Sequence, residues 1–145
     1  MTSKNKQFYS VIVNALVFKG DKLLIAQRGM NESHHPGRWS IPGGKVETIG
    51  YTFNAIEETA KREVREETGI EIKDKMELMC NNTFNRSNGE LVLALMVICD
   101  YKFGKANPLE DTMAVKWISN KEIDNFNFSE SVLEYIKRGF IKHNE

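Results

Sequence analysis

Glu63, Glu66 and Glu67 fall at i, i+3 and i+4 in the run Arg62-Glu63-Val64-Arg65-Glu66-Glu67-Thr68-Gly69-Ile70. On a helix that spacing puts all three carboxylates on one face. Like charges so placed cost a helix about 0.2–0.5 kcal/mol per pair, so the cluster implies a cation among them. Arg62 and Arg65 can screen part of the repulsion. A hard divalent ion uses the oxygens better, and Mg²⁺ shares itself between one or two carboxylates, water and substrate phosphates. Upstream, Gly43 and Gly44 let the backbone approach a ligand closely, and Lys45 follows them. Lys45, and Arg28 just after the second strand, are candidates to bind phosphate.

Several elements must position these groups. Val11 to Phe18 is β-branched and apolar and reads as a strand. Gly20-Asp21 makes a turn, and Leu23 to Ala26 returns as a second strand. Gly29 to Gly37 is polar, carries His34 and His35, and reads as a mobile loop near the site. Trp39 to Pro42 is a short strand leading into the glycine pair. The helix is expected to begin at Asn54, with the Asn54 side chain as N-cap and Glu57 completing a capping box. Phe53, Ile56, Ala60 and Val64 form its apolar stripe, and Gly69 stops it. Met76 to Phe84 and Leu91 to Cys99 are strands flanking an Asn88-Gly89 hairpin signal. Val115 to Ser119 is another strand, and Val132, Leu133, Ile136 and Phe140 mark a second helix capped by Ser129. Strands apolar on both faces with two separated helices predict an α/β fold with a mixed sheet between helices.

The 145 residues suit one domain, 1–145. Twenty acidic residues balance twenty basic ones, which leaves no basic footprint for nucleic acid and no polybasic membrane signal. No apolar stretch is long enough to span a bilayer, and the polar start, residues 1–7, lacks a signal-peptide core. Cys80 and Cys99 make neither a disulfide framework nor a zinc pattern, and read as two buried thiols of a cytoplasmic protein. Phe84, Phe103 and Trp39 are either core or a platform for a nucleobase.

The glycine pair and the glutamate run together resemble the signature of the Nudix hydrolases: Gly, five residues, Glu, seven residues, then Arg-Glu-aliphatic-any-Glu-Glu-any-Gly-aliphatic. Every position from Arg62 to Ile70 matches. Seventeen residues separate Gly44 from Arg62 where the pattern has thirteen, so the loop is four residues longer. Asn54 stands where the pattern's first glutamate falls when counted back from Arg62.

The resemblance implies a Nudix-type α/β/α sandwich. It also implies metal on Glu63, Glu66, Glu67 and the Gly44 carbonyl, with Mg²⁺ as cofactor or Mn²⁺ in its place. One glutamate would deprotonate the attacking water. Glu66 as base with Glu67 as principal ligand is one assignment, and the reverse is another; Glu63 shares the site, and Arg62 orients a helix carboxylate. A further acid would come from the loop before the last strand, where Glu110 and Asp111 lie, with Glu110 favoured as an added ligand. The implied substrate is a nucleoside diphosphate linked to another group. Nucleoside triphosphate pyrophosphohydrolysis is the leading expectation, and ADP-ribose or a nucleotide sugar the second. A non-catalytic nucleotide sensor on the same fold and an RNA-decapping enzyme are the other classes. The sensor is disfavoured by the intact glutamates, and decapping by the missing basic face. A homodimer is compatible with such folds.

Overall fold

The computed structural model describes residues 6–47 and 50–145. The reading of residues 1–5 and the inner part of the longer loop, Thr48 and Ile49, lie outside the described residues.

In chain order the elements are β1 (Tyr9–Lys19), β2 (Lys22–Arg28), β3 (Trp39–Ser40), β4 (Gly43–Lys45), α1 (Ala55–Thr68), β5 (Glu71–Asn85), β6 (Leu91–Phe103), β7 (Thr112–Ile118), a 3₁₀ turn (Asn120–Asn125) and α2 (Glu130–His143). Seven strands form one sheet. β1 runs parallel to β6, in register from Tyr9 opposite Leu91 to Phe18 opposite Asp100. Every other pairing is antiparallel: β2 bonds β1, β3 and β7, β4 bonds β1, and β5 bonds β6. The sheet is therefore mixed, as expected, with one helix on each face.

Strand alternation explains the two layers. Val13, Ala15 and Val17 of β1 pack with Ala60 and Val64 of α1. Leu16 and Phe18 point the other way and pack with Ile136 and Phe140 of α2. Burying one such side chain contributes roughly 1.5–3 kcal/mol, so both helices are held chiefly by this central strand and its neighbours. At Gly139 of α2 an added Cβ would lie 2.6 Å from the Leu16 Cδ2 atom. The missing side chain lets the helix lie close on β1.

The helix ends are partly as expected. Gly69 takes the left-handed conformation (φ 75°), and its N–H donates to the Arg65 carbonyl. The Ser129 hydroxyl accepts from the Val132 N–H. The 3₁₀ turn went unread, although Ser119-x-x-Glu122 is a capping-box spacing. The Glu122 carboxylate does accept from the Ser119 N–H at 2.9 Å.

Two expectations for the start of α1 are corrected. Phe53 is not part of the buried stripe: it is 74% exposed and packs edge-on against Tyr51. Ile56, Ala60 and Val64 do pack inward, and Thr59 and Thr68 complete the stripe. Both threonine hydroxyls donate to carbonyls one turn back, which lets them be buried. Asn54 does occupy the N-cap position, but its side chain makes no capping bond. Its backbone is left-handed (φ 58°, ψ 39°), and its carbonyl accepts from the Glu58 N–H.

Asn54 is thus selected for a conformation that Asn tolerates and most residues do not. Asn54→Gly should leave stability unchanged or slightly improved. Asn54→Ser, a good cap but a poor left-handed residue, should cost about 1 kcal/mol. Denaturant midpoints check this, and a neutral Asn54→Ser would restore the capping account.

Candidate active site

The helical wheel decides which glutamates face the sheet. At about 100° per residue, Glu67 lies about 40° from Glu63 on the side of Ala60 and Val64. Glu66 lies about 60° to the other side, at the rim. Accordingly Glu63 and Glu67 line a cleft of about 600 Å³. Among the described residues, Glu66 is not in that lining and is half-exposed. The three expected carboxylates are therefore split into an inner pair and one outer group.

The inner pair is electrostatically tense. The carboxyls of Glu63 and Glu67 lie close enough to perturb one another. Burial, and then the neighbouring Glu63, push Glu67 up to about 9. Burial also raises Glu63, while its bond to Glu67 and the Arg62 guanidinium pull it down. Two partly buried carboxyls that raise one another's proton affinity form a site that a cation relieves.

Both glycines serve this pair through close approach. Gly44 pairs with Val13, and a Cβ on it would lie 2.5 Å from the Glu63 Oε1 atom. A Cβ on Gly43 would collide with the Asn14 side-chain oxygen, and the Gly43 N–H donates to Glu67 at 3.4 Å.

Arg62 acts as a strap. It donates to the Lys45 carbonyl at 2.8 Å, and pairs with Glu63 at 3.4 Å and with Glu47 at 3.5 Å. It steadies Glu63 and ties α1 to β4; among the described residues it makes no pair with Glu66. Glu47, on the near side of the longer loop, fills the role of its acidic partner.

Cations and their acidic partners also line the cleft. Arg28 ends β2, lines the cleft, and donates to the His34 carbonyl at 2.6 Å. Lys45 lines the cleft too, but its ammonium is 3.2 Å from Glu90. Glu90 also accepts from Ser10 at 2.5 Å and sits 2.9 Å from Arg86. Burial and the cations Arg86 and Arg28 hold His34 and His35 below their usual range, so both are neutral near pH 7. Glu110, in a left-handed conformation (φ 48°), and Asp111 line the cleft, and Glu110 adds to the field that raises Glu63.

The lining also includes Asn14 and Tyr135, which were not singled out from sequence, and Asn82 and Arg86, which fall in the stretch Asn81 to Glu90 expected to help choose the leaving group. Asn14 carried a signal, a lone amide within an apolar strand. Arg86 lies in the β5–β6 hairpin, within that stretch. Of the candidate stacking residues, Phe84 lines the cleft, Phe103 lies outside its lining, and Trp39 packs against Phe126 at 5.1 Å between centroids.

Among the described residues no three His, Cys, Asp or Glu side chains converge as a metal cage. The donor set is instead two neighbouring carboxyls beside a backbone made open by Gly44. That set fits an ion that keeps waters and takes oxygens from the substrate, as Mg²⁺ does.

A NUDIX domain family model matches residues 8–138. No curated protein matches significantly in sequence. Among solved structures, the NUDIX domain of Shewanella oneidensis NrtR complexed with ADP ribose is 18% identical. It covers 99% of this chain and 94% of its own, with a TM-score of 0.76. The MutT protein of Methanosarcina mazei is 22% identical, covers 98% and 99%, and gives a TM-score of 0.74. A bifunctional NMN adenylyltransferase/ADP ribose pyrophosphatase from Francisella tularensis, complexed with AMP and a Mn ion, is 23% identical. It covers 97% of this chain and 43% of that one, with a TM-score of 0.71. These likenesses agree with the sheet and helix layers described above. With the family model spanning nearly the whole sequence and the Arg62–Ile70 signature intact on α1, the chain belongs to the Nudix hydrolase family.

Proposed function

We propose that this protein is a Mg²⁺-dependent pyrophosphohydrolase of nucleoside triphosphates, releasing a nucleoside monophosphate and pyrophosphate. The observation that carries the reading is the inner pair Glu63 and Glu67 beside Gly44, in one cleft with Arg28 and Arg86. Such a cleft offers carboxylates to a cation and guanidinium groups to phosphate oxygens. Bound Mg²⁺, or Mn²⁺ in its place, would neutralise phosphate charge and acidify a water. Glu63, Glu67 and the Gly44 carbonyl would hold it, with Glu110 in the same cleft lining and Glu66 outside it as a further ligand only if its side chain turns inward.

The chain's own residues supply the rest. Arg28 and Arg86 bind and orient the phosphates, and Arg62 keeps Glu63 turned toward the cleft. Water attacks one phosphorus, the bond from that phosphorus to the bridging oxygen breaks, and the water's proton passes to a carboxylate. Glu63 is better placed for that proton than Glu66, because it lines the cleft and Glu66 does not. The Gly43 N–H donates to Glu67 and holds it as a ligand rather than a mobile base.

ADP-ribose or another nucleotide sugar is the competing substrate, since the Shewanella domain is complexed with ADP ribose. Among the described residues no helix is long and apolar enough to cross a membrane. We place the protein in the cytoplasm, where its free thiols Cys80 and Cys99 would stay reduced.

A panel of nucleoside triphosphates, ADP-ribose and nucleotide sugars, incubated with Mg²⁺ in oxygen-18 water, tests the reading. Nucleoside monophosphate and pyrophosphate, one of them carrying the label, is the expected product pair. Turnover of ADP-ribose alone would replace the substrate class, and turnover of nothing in the panel would leave a binding protein.

A further inference from the structure

The cleft changes character along the sheet. Its inner carboxylates belong to α1 and meet the sheet at β4, where the Gly43 N–H donates to Glu67 and Gly44 lies close against the Glu63 carboxyl. From Lys45 of β4, paired residues run in a row through Ile12 of β1 and Ala94 of β6 to Asn82 of β5. Three strand spacings make that row about 14 Å long.

At the β5 end the lining comes from Asn82 and Phe84 of β5 and from Ser129, Ser131, Val132 and Tyr135 at the start of α2. None of these six side chains carries a charge. Tyr135, only 7% exposed, bonds the Asn82 Oδ1 atom through its hydroxyl at 2.6 Å, and the Ser129 and Ser131 hydroxyls lie 3.5 Å apart. The amide and the hydroxyls keep further capacity, as donors and as acceptors. Arg86 marks the edge of this neutral bay, with its guanidinium 5.7 Å from the centroid of the Phe84 ring.

A phosphate moved into the bay would give up its water among neutral groups, without a counter-charge, which is costly. An uncharged group bearing hydroxyls and a flat ring loses far less. The hydroxyls and the amide replace its water, and Phe84 offers an aromatic surface. The β4 end has the opposite chemistry, suited to a cation and phosphate oxygens. A molecule that is charged at one end and neutral at the other therefore has one favourable direction in this cleft.

Resting on the nucleotide-hydrolase reading above, we propose that the neutral bay is the nucleoside subsite. Ribose and base lie against Asn82, Phe84 and the first turns of α2, and the phosphate chain passes Arg86 toward Glu63 and Glu67. The bay fixes where the nucleoside lies and not which base it carries, because its amide and hydroxyls pair with donors and acceptors alike.

The test compares a nucleotide with its phosphate chain alone. Adenosine triphosphate with a methylene bridge between its α and β phosphorus atoms resists the expected cleavage. Its binding in the presence of Mg²⁺ is measured by calorimetry beside that of inorganic tripolyphosphate. Wild type should bind the nucleotide analogue about 10–100-fold more tightly. Phe84→Ala, at a position 36% exposed, should weaken the analogue by about 10-fold. Asn82→Ala and Ser131→Ala should each weaken it by about 3–10-fold. The affinity for tripolyphosphate should follow wild type in all three. With hydrolysable adenosine triphosphate the same losses should appear in KM while kcat holds.

An analogue that binds wild type no better than tripolyphosphate overturns the subsite. An equal loss for both ligands in the variants also overturns it, since the residues would then serve only the fold. If the analogue binds with the expected variant losses but no nucleotide is hydrolysed, the hydrolase reading falls and the subsite stands. If nucleotides are hydrolysed and all three variants keep the wild-type KM, the subsite falls and the hydrolase reading stands.

Discussion

Glu67→Gln should leave the chain folded and remove most of its turnover, by about 10²–10⁴-fold. At about 1.4 kcal/mol per tenfold, that is ~3–5 kcal/mol of barrier. Glu67 is partly buried at the margin of the sheet-facing stripe of α1 and accepts from the Gly43 N–H, so the amide fits the same space. Without a cation this carboxyl is protonated at neutral pH, being pushed up to about 9, and glutamine reproduces that neutral form. The melting temperature of the metal-free variant should therefore hold or rise. Glu63→Gln should show a comparable loss of rate. The double variant should fall by less than the product of the two, because both residues serve one site. Glu66→Gln should lose less than either, since Glu66 stands at the rim. The measurement is turnover of purified, folded variants at saturating Mg²⁺. Near-wild-type rates in both Glu63→Gln and Glu67→Gln would reduce these glutamates to a charged helix face and take away the main support for hydrolysis.

The legible part of this molecule is the part written in short periods. The run Val11 to Phe18 predicts β1 because alternating residues face two cores, and both cores are there. The glutamate spacing predicts a shared helix face, and α1 carries it. Its finer division was also available, because the same 3.6-residue period that groups Glu63 with Glu67 puts Glu66 on the outer side. Asn54 illustrates a limit. Asn is favoured both as a cap and in left-handed backbone, so the letter alone does not choose between them. The contact between Asn82 and Tyr135 was not legible. Asn82 and Tyr135 are 53 positions apart and meet through a hydrogen bond across the sheet face, and no local pattern encodes such a meeting. The Arg62 strap is intermediate: its helix position is in the signature, but its partners Glu47 and Lys45 depend on how the longer loop returns the chain to α1.

Removal of divalent ions should abolish turnover, and the loss should be accompanied by a pH-dependent loss of stability. Glu67 is raised from its usual 4.5 to about 9 in the folded protein. A group raised in this way binds more protons folded than unfolded between those two values. Its contribution to stability is then fully present below the lower value and declines as pH climbs toward the upper one. His34 and His35 are lowered, so they act in the opposite sense, but only at and below their usual 6.5. The window in which Glu67 dominates is accordingly about pH 7 to 9. In chelator the melting temperature should fall across that window. Added Mg²⁺ should restore it, more strongly at the alkaline end, because binding displaces the Glu67 proton and strengthens as the proton becomes easier to remove. Glu67→Gln supplies the control: its metal-free melting temperature should be flatter over the same range, and it should respond less to Mg²⁺. The free thiols also titrate toward the alkaline end, but they are present in wild type and variant alike, so the difference between the two curves isolates Glu67. Undiminished hydrolysis after exhaustive metal removal would overturn the metal mechanism. Identical wild-type and Glu67→Gln curves would overturn the raised Glu67 carboxyl at the centre of the site.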